Sequence, residues 1–290
     1  MAPTRVGAVA GHFGRDVART LAKLEALVAG ARRDGTDLLV LPGATIGGYV
    51  PDLQPGREAG TQDLPPAFAL DDEAVQHVRR LAGSMVVCFG FCELDDGCRY
   101  NTAVCVSGDG VLGRHRKVHQ PVGESAAYAA GDGFAAFDTP VGRMGLLVDY
   151  DKTFPESART LALDGAQLVA ALSAWPASVT DRAARLADDR QARLFDIYDA
   201  ARAAENQVVW VSSNQTGVLG DLRFLGQAKV VGPGGRTLAR TGTKGGLAAV
   251  ELDVAAEVAR ARRVLHHLVE RRPAAYATAG RTRTWAESVR

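Results

Sequence analysis

The sequence is poor in cysteine and aromatic residues, and it has almost no excess of charge of either sign. Its 290 residues include 4 cysteines, aromatic residues make up 6%, and 34 Lys and Arg residues nearly balance 33 Asp and Glu residues. A chain without a basic cluster or a strong net charge lacks the electrostatic footprint of a protein that binds nucleic acid or an anionic membrane surface. We therefore expect no nucleic-acid partner and no membrane partner.

Long hydrophobic runs are also missing. None approaches the roughly 20 apolar residues that a membrane-spanning helix needs. The apolar stretch within residues 1–14 is interrupted by glycines and is too short for the core of a signal peptide. We expect a cytoplasmic protein.

The four cysteines, Cys88, Cys92, Cys98 and Cys105, follow no metal-binding spacing, and no histidine is close enough in sequence to complete a zinc site. Unpaired cysteines in a reducing compartment usually behave as small buried hydrophobic residues. We expect them to do so here, and we expect no metal and no cofactor.

The sequence does contain a regular alternation of strand-like and helix-like segments. Residues 38–41 are continuously apolar, which indicates a strand buried on both faces. Residues 102–107 and 111–114 predict a hairpin, and residues 155–163 and 181–204 predict helices. Such alternation is typical of an α/β layered architecture. We predict one domain over residues 1–272 and a C-terminal tail, residues 273–290, that is either disordered or an arm lying on a partner.

Four groups of residues stand out for their composition and order. They are Leu41-Pro42-Gly43 with Gly48-Tyr49, Arg116-Lys117-Val118-His119 with Gly123-Glu124, Gly145-Leu146-Leu147-Val148-Asp149-Tyr150-Asp151 with Phe154-Pro155-Glu156 and Ser173-Ala174-Trp175-Pro176, and Ala204-Glu205-Asn206-Gln207 with Ser213-Asn214-Gln215. Together they resemble the nitrilase superfamily of carbon–nitrogen hydrolases. The resemblance implies a four-layer αββα sandwich and a homodimer. It also implies a cysteine nucleophile, a glutamate base, a lysine that stabilises the tetrahedral intermediate, and a second glutamate in the pocket.

Two of the implied catalytic residues are replaced in this chain. The lysine is present as Lys117 and the second glutamate as Glu124, but Gly43 stands at the position of the base and Asp149 at that of the nucleophile. A carboxylate is a poor nucleophile toward an amide, because the anhydride it would form is less stable than the amide. We therefore expect no thiol-dependent hydrolysis of amides or nitriles.

The two replacements compensate in charge, since one carboxylate is lost at Gly43 and one is gained at Asp149. We interpret this as keeping Lys117 charged between Asp149 and Glu124, because an unpaired buried ammonium is costly. Gly43 would leave room for a ligand where the base carboxylate would lie. Tyr150, through its backbone N–H, and Trp175, at the pocket rim, are the other candidate ligand-binding residues.

Two further interpretations concern structure rather than chemistry. The resemblance suggests that Asp151 and Arg159 form a buried pair near the start of a helix. His119, on the loop after Lys117, is interpreted as structural.

Three functions remain open from the sequence. Asp149, Lys117 and Glu124 could perform acid–base chemistry such as condensation, cyclisation, dehydration or elimination on a small amine, amide or carbonyl compound. The chain could instead be a pseudoenzyme that binds a small molecule or a protein partner without turnover. A third possibility is carbon–nitrogen hydrolysis by a water molecule that Asp149 activates. The fold alone does not choose between them.

Overall fold

The computed structural model describes residues 3–53, 64–121 and 123–276. The predicted alternation of strands and helices is confirmed. The helices are α1 (Val17–Arg33), α2 (Glu73–Ala82), α3 (Pro155–Leu163), α4 (Arg190–Asn206) and α5 (Val254–Val264). The strands are β1 (Thr4–Gly11), β2 (Leu38–Val40), β3 (Ala67–Phe68), β4 (Val86–Asp95), β5 (Cys98–Ser107), β6 (Gly110–Arg116), β7 (Phe137–Thr139), β8 (Gly142–Val148), β9 (Leu168–Ser173), β10 (Val209–Gln215), β11 (Val218–Leu219), β12 (Leu222–Arg223), β13 (Lys229–Val231), β14 (Thr237–Arg240) and β15 (Gly246–Leu252).

The main sheet brings the ends of several parallel strands to one edge. Its hydrogen-bonded order is β6-β5-β4-β2-β1-β10-β9-β8-β7. Strands β2, β1, β10, β9 and β8 run parallel to one another. Residues that directly follow β2, β8 and β9 therefore meet at the carboxyl edge of the sheet, where ligands of parallel α/β sheets usually bind.

The sheet folds over so that its two halves face each other, which gives the four-layer αββα sandwich. One apolar cluster lies between the halves and includes Val40 and Cys88 from one half and Leu146 and Leu172 from the other. A second cluster packs α1 and α2 against the outer side of the first half. A third packs α3 and α4 against the outer side of the second half. The fold is α/β, as the resemblance implies.

The helix predicted for residues 181–204 starts later than expected. It begins at Arg190, because the Asp189 side chain accepts hydrogen bonds from the backbone N–H groups of Gln191 and Ser178. Asp189 itself is extended, and it separates α4 from the 3₁₀ turn Leu186–Asp188. By contrast, the hairpin of β5 and β6 and helix α3 match their predictions.

Three of the cysteines are buried, but Cys98 is exposed, so the expectation of burial is wrong for that residue. Within the described residues, no helix combines the length and apolarity that crossing a membrane requires. Of the expected tail, only the 3₁₀ turn Pro273–Tyr276 is described, and residues 277–290 lie outside the described part of the chain.

Candidate active site

Asp149 lies at a sharp turn where β8 ends. Its φ angle is 43°, in the left-handed region, and it opens the 3₁₀ turn Asp149–Thr153. Aspartate tolerates this conformation better than most residues do, but it remains strained, as residues at functional sites often are. The side chain is only 6% exposed, and its Oδ1 atom accepts a hydrogen bond of 2.5 Å from the backbone N–H of Ala174, just after β9. The turn thus fixes one carboxylate oxygen at the carboxyl edge of the sheet.

Lys117 and Glu124 form a buried ion pair beside Asp149. The Lys117 Nζ atom lies 2.5 Å from Glu124 Oε2, and the two side chains are 1% and 0% exposed. Asn101, on β5, donates a hydrogen bond of 2.9 Å to the other Glu124 oxygen. Burial alone lowers the pKa of Lys117, but the carboxylates of Glu124 and Asp149 raise it more, so it lies above its ordinary value. Lys117 therefore stays protonated at neutral pH.

The second oxygen of Asp149 has no such partner. Its Oδ2 atom lies 3.6 Å from Lys117 Nζ, which is a charge contact but too long for a hydrogen bond. It is buried and has no hydrogen-bond partner among the described residues. Burial raises the pKa of Asp149 to about 6, against the lowering effect of Lys117. A carboxyl group with this pKa exchanges its proton near neutral pH.

Gly43 does not provide the room that was expected. A Cβ atom at this position would lie 3.0 Å from the carbonyl carbon of Ser173 and 3.2 Å from the backbone nitrogen of Ala174. The Gly43 N–H donates a hydrogen bond of 3.1 Å to Ser173 O. The ends of β2 and β9 are thus so close that backbone atoms of residues 172–174 occupy the space that a side chain at position 43 would need. Gly43 is not among the cavity-lining residues, so a ligand contact through it is not supported.

A cavity of about 210 Å³ opens above Asp149, and we call it the Asp149 cavity. Lys117 and Asp149 form its charged part, and Tyr49, Tyr150 and Trp175 are its aromatic walls. Its other described lining residues are Leu53, Pro121, Ala174, Pro176, Ala177, Ser178, Val179 and Gln191. The structure therefore brings four of the six predicted site residues to this cavity, while Glu124 lies behind Lys117 and Gly43 behind backbone.

Trp175 is held in place by polar contacts that sequence reasoning missed. Its backbone N–H donates to Asn214 Oδ1 at 2.7 Å, and its indole N–H donates to Gln191 Oε1 at 3.0 Å. Asn214 belongs to the fourth motif, and a polar side chain at the end of a buried parallel strand is itself a signal of a site. Tyr49 and Asn101 were also missed as site residues, although Tyr49 is part of the first motif.

Asp151 has different partners from those predicted. His115 Nε2 lies 2.8 Å from Asp151 Oδ2, and His119 Nδ1 lies 3.0 Å from Asp151 Oδ1. Arg159 instead donates to the backbone carbonyl of Glu205 at 2.8 Å, so the predicted Asp151–Arg159 pair is wrong. His119 also stacks on Phe154, with ring centroids 3.8 Å apart. These contacts support the structural interpretation of His119.

A second buried ionic cluster lies behind the Trp175 wall. Asp199, on α4, accepts a hydrogen bond of 2.8 Å from Lys152 and lies 2.9 Å from Lys229. Both ammonium groups lie over the Phe195 ring, at 3.2 and 4.2 Å from its centroid. Burial lowers the pKa of Lys152 to about 8. The Lys152 ammonium is 5.2 Å from the centroid of the Trp175 ring, so this cluster abuts the cavity wall.

Comparisons with known proteins agree with this fold. The family model for carbon–nitrogen hydrolases matches residues 5–262. An (R)-stereoselective amidase of a Pseudomonas species is 32% identical over 267 residues, which are 91% of this chain and 89% of that protein. A nitrilase of Pyrococcus abyssi is 31% identical over 220 residues, which are 74% of this chain and 76% of that protein. The chain belongs to the carbon–nitrogen hydrolase family, in the nitrilase superfamily.

Solved structures of this superfamily share the fold. A carbon–nitrogen hydrolase of Helicobacter pylori G27 has a TM-score of 0.82 at 24% identity, with 97% of this chain and 100% of that chain covered. A mutant of the amidase of Nesterenkonia sp. AN1 has a TM-score of 0.74 at 25% identity, with 95% of this chain and 96% of that chain covered. It carries the acetamide moiety of fluoroacetamide on its active-site cysteine. From the sequence motifs, the corresponding position in this chain is predicted to be Asp149.

Proposed function

We propose that this protein uses Asp149 as a general acid and base, with the Lys117–Glu124 pair beside it, on a small amine, amide or carbonyl compound. The reaction would be a condensation, cyclisation, dehydration or elimination rather than thiol-dependent hydrolysis. The observation that carries the proposal is the unpartnered Oδ2 atom of Asp149, which is buried at a cavity large enough for a small ligand.

The electrostatics of the site support this role. A general acid–base group works best when its pKa is near the working pH, and burial brings the pKa of Asp149 to about 6. Lys117 remains protonated 3.6 Å away and can stabilise negative charge that develops on a substrate oxygen. A proton donor–acceptor and a fixed cation therefore face the same small volume.

The family's thiol route has no counterpart in this arrangement. No thiol lies among the described residues that line the Asp149 cavity, and backbone occupies the space beside Gly43. Hydrolysis by a water molecule that Asp149 activates would use the same carboxylate and is a variant of the proposal. Ammonia release from amides would distinguish this hydrolysis from the condensation, cyclisation, dehydration or elimination proposed above.

The test is a turnover screen that follows substrate loss by NMR and ammonia release by a coupled assay. The compounds are small amines, amides, nitriles and carbonyl compounds. We expect conversion of at least one compound, and Asp149→Asn should slow it by about 10²–10⁴-fold, the usual contribution of an acid–base group. The matched control is Asp16→Asn, which changes an exposed helix cap that asparagine serves equally well.

A binding protein without turnover is the second candidate. It is favoured by the filled space at Gly43, because Asp149 is then the only carboxylate among the described residues that line the cavity. Under this candidate, ligands bind with an affinity that depends on Asp149, but no compound is converted. Conversion at equal rates in the wild type and Asp149→Asn would contradict both candidates.

A further inference from the structure

The charges around the Asp149 cavity do not balance. Lys117 and Glu124 lie 2.5 Å apart and together form a neutral unit. The next ammonium group, that of Lys152, donates a hydrogen bond of 2.8 Å to Asp199. Lys229 also contacts Asp199 but has a second carboxylate, that of Asp196, at 2.7 Å, so these two ammonium groups have two carboxylates of their own. Once Asp149 is ionised, the described residues at the floor of the cavity therefore carry one negative charge that no cation among them matches.

Asp149 lines the cavity, and one of its oxygens lacks a hydrogen-bond partner among the described residues. Asp149 Oδ1 is occupied by the backbone N–H of Ala174, while Oδ2 is buried without a hydrogen-bond partner. Native proteins rarely leave a buried carboxylate oxygen unsatisfied, because the loss of hydration is not repaid. Oδ2 is thus placed to accept a hydrogen bond from a ligand.

The cavity walls fit a cation that has an apolar body. Tyr49, Tyr150 and Trp175 present aromatic rings, which attract cations over their faces. Among the described lining residues, Lys117 and Asp149 are the only members of the Asp, Glu, Lys, Arg and His group. Apart from Lys117, whose charge Glu124 offsets, the described walls therefore offer no partner for a second full charge on the ligand.

We propose that the Asp149 cavity binds a small primary amine as its ammonium ion, with the ammonium on Asp149 Oδ2 and an aromatic or aliphatic body against Trp175 and Tyr150. This inference rests on the proposed function and narrows its substrate class from amines, amides and carbonyl compounds to amines. An amide would supply a hydrogen bond but no balancing charge. A carboxylate would be repelled by Asp149. The Lys117 ammonium is held by Glu124, so its repulsion of a bound amine is offset.

Binding should depend on pH through Asp149. The groups that face it are Lys117 and Glu124 on one side, Lys152 on its own turn, and the buried phenols of Tyr49 and Tyr128. Both phenols have pKa values well above their ordinary value because of burial, and the pKa of Lys117 is also raised. None of these three loses its proton between pH 5 and 7, whereas the pKa of Asp149, which burial raises to about 6, lies within that range.

The experiment measures binding of benzylamine by isothermal titration calorimetry at pH 7.5, with benzamide, benzyl alcohol and benzoate as ligands of similar shape. We expect benzylamine to bind at least about tenfold more tightly than the other three. Asp149→Asn should weaken benzylamine binding at least about tenfold, while Asp16→Asn should leave it unchanged. Asparagine keeps an oxygen for the Ala174 N–H, so the variant is expected to fold, and thermal unfolding checks this.

A measurement on the wild type alone tests the inference even if the Asp149→Asn variant does not fold. Benzylamine affinity should fall about tenfold per pH unit below pH 6, as Asp149 becomes protonated. The inference is overturned if benzamide or benzoate binds more tightly than benzylamine, or if affinity is unchanged between pH 7.5 and 5. Amine binding without conversion of any amine would support the inference and contradict the acid–base function. Asp149-dependent conversion of an amide, without amine binding, would support the acid–base function and contradict the inference.

Discussion

At the scale of single residues, Lys117 depends on two carboxylates in unequal measure. Glu124 lies 2.5 Å from its ammonium and Asp149 lies 3.6 Å away, so Glu124 is the principal partner. We predict that Glu124→Gln destabilises the protein by about 3–5 kcal/mol, because it removes the hydrogen-bonded partner of a buried charge. The free energy of unfolding from urea titration measures this. The double variant Glu124→Gln with Lys117→Met should recover much of the loss, and the charge-pairing hypothesis fails if it recovers none.

Gly43 provides a second prediction at this scale. A methyl group there would lie 3.0–3.2 Å from backbone atoms of residues 173–174, which cannot move as freely as a side chain. We predict that Gly43→Ala lowers the free energy of unfolding by about 1–3 kcal/mol through overpacking. Gly133→Ala is the control, because a Cβ atom there meets nothing within 4 Å. Equal stability of the two variants would show that the strand ends can separate.

The sequence motifs predicted which residues gather at the site, but not how closely. Lys117, Asp149, Tyr150 and Trp175 follow from motif positions and from parallel strands that end at one edge. The filled space beside Gly43 depends on the approach of β2 and β9, which are far apart in sequence. The histidine partners of Asp151 likewise come from another strand end, which no local pattern encodes.

At the scale of elements, α4 contacts the turn that begins at Asp149 through ion pairs and hydrogen bonds as well as through apolar packing. Its inward face carries Asp199 and Arg202, and Arg202 donates to the Lys152 carbonyl at 2.9 Å. An apolar 3.6-residue period is therefore weak in this helix, which is why its start could not be predicted well. Helix α3, with Pro155 at its first turn, was predicted with correct bounds.

This link gives a prediction with a matched pair of variants. The Lys152 ammonium lowers the pKa of Asp149, so Lys152→Met should raise that pKa above about 6. Lys229 pairs with the same Asp199 and lies over the same Phe195 ring, but it is not among the main groups acting on Asp149. Lys229→Met should therefore leave the pKa of Asp149 unchanged. Carbon-13 NMR titration of labelled aspartate, assigned with Asp149→Asn, measures both, and equal shifts in the two variants would contradict the link.

At the scale of the whole molecule, the alternation of strand-like and helix-like segments predicted the α/β class. The four layers were implied by the family resemblance of the motifs. The homodimer remains a prediction from family resemblance. Sedimentation velocity should give one species of twice the chain mass at micromolar concentration, and a species of one chain mass would contradict the homodimer.

The single domain over residues 1–272 also remains a proposal. It predicts that the protein unfolds in a single cooperative transition.

The stability of the whole molecule should carry the signature of Asp149 between pH 4 and 6.5. Burial raises its pKa from 3.8 to about 6, so the folded state holds this proton more tightly than the unfolded state does. The contribution of Asp149 to the free energy of unfolding is therefore most favourable below pH 4 and is lost as the pH rises through 6. At 1.36 kcal/mol per pKa unit, the loss is about 3 kcal/mol. The free energy of unfolding of the wild type minus that of Asp149→Asn should fall by about this amount across the interval and stay flat above it.

Asp189→Asn is a control of opposite sign for this measurement. Hydrogen bonds from Gln191 and Ser178 outweigh the effect of burial and hold the pKa of Asp189 below its ordinary value. The contribution of Asp189 to the free energy of unfolding is therefore gained, not lost, as the pH rises through the acid range. The free energy of unfolding of the wild type minus that of Asp189→Asn should rise over this range. A flat Asp149 curve beside a rising Asp189 curve would mean that Asp149 is better solvated or better paired than its buried Oδ2 indicates. The acid–base role would then lose its electrostatic basis, because an ordinary carboxyl pKa leaves no proton to donate near neutral pH.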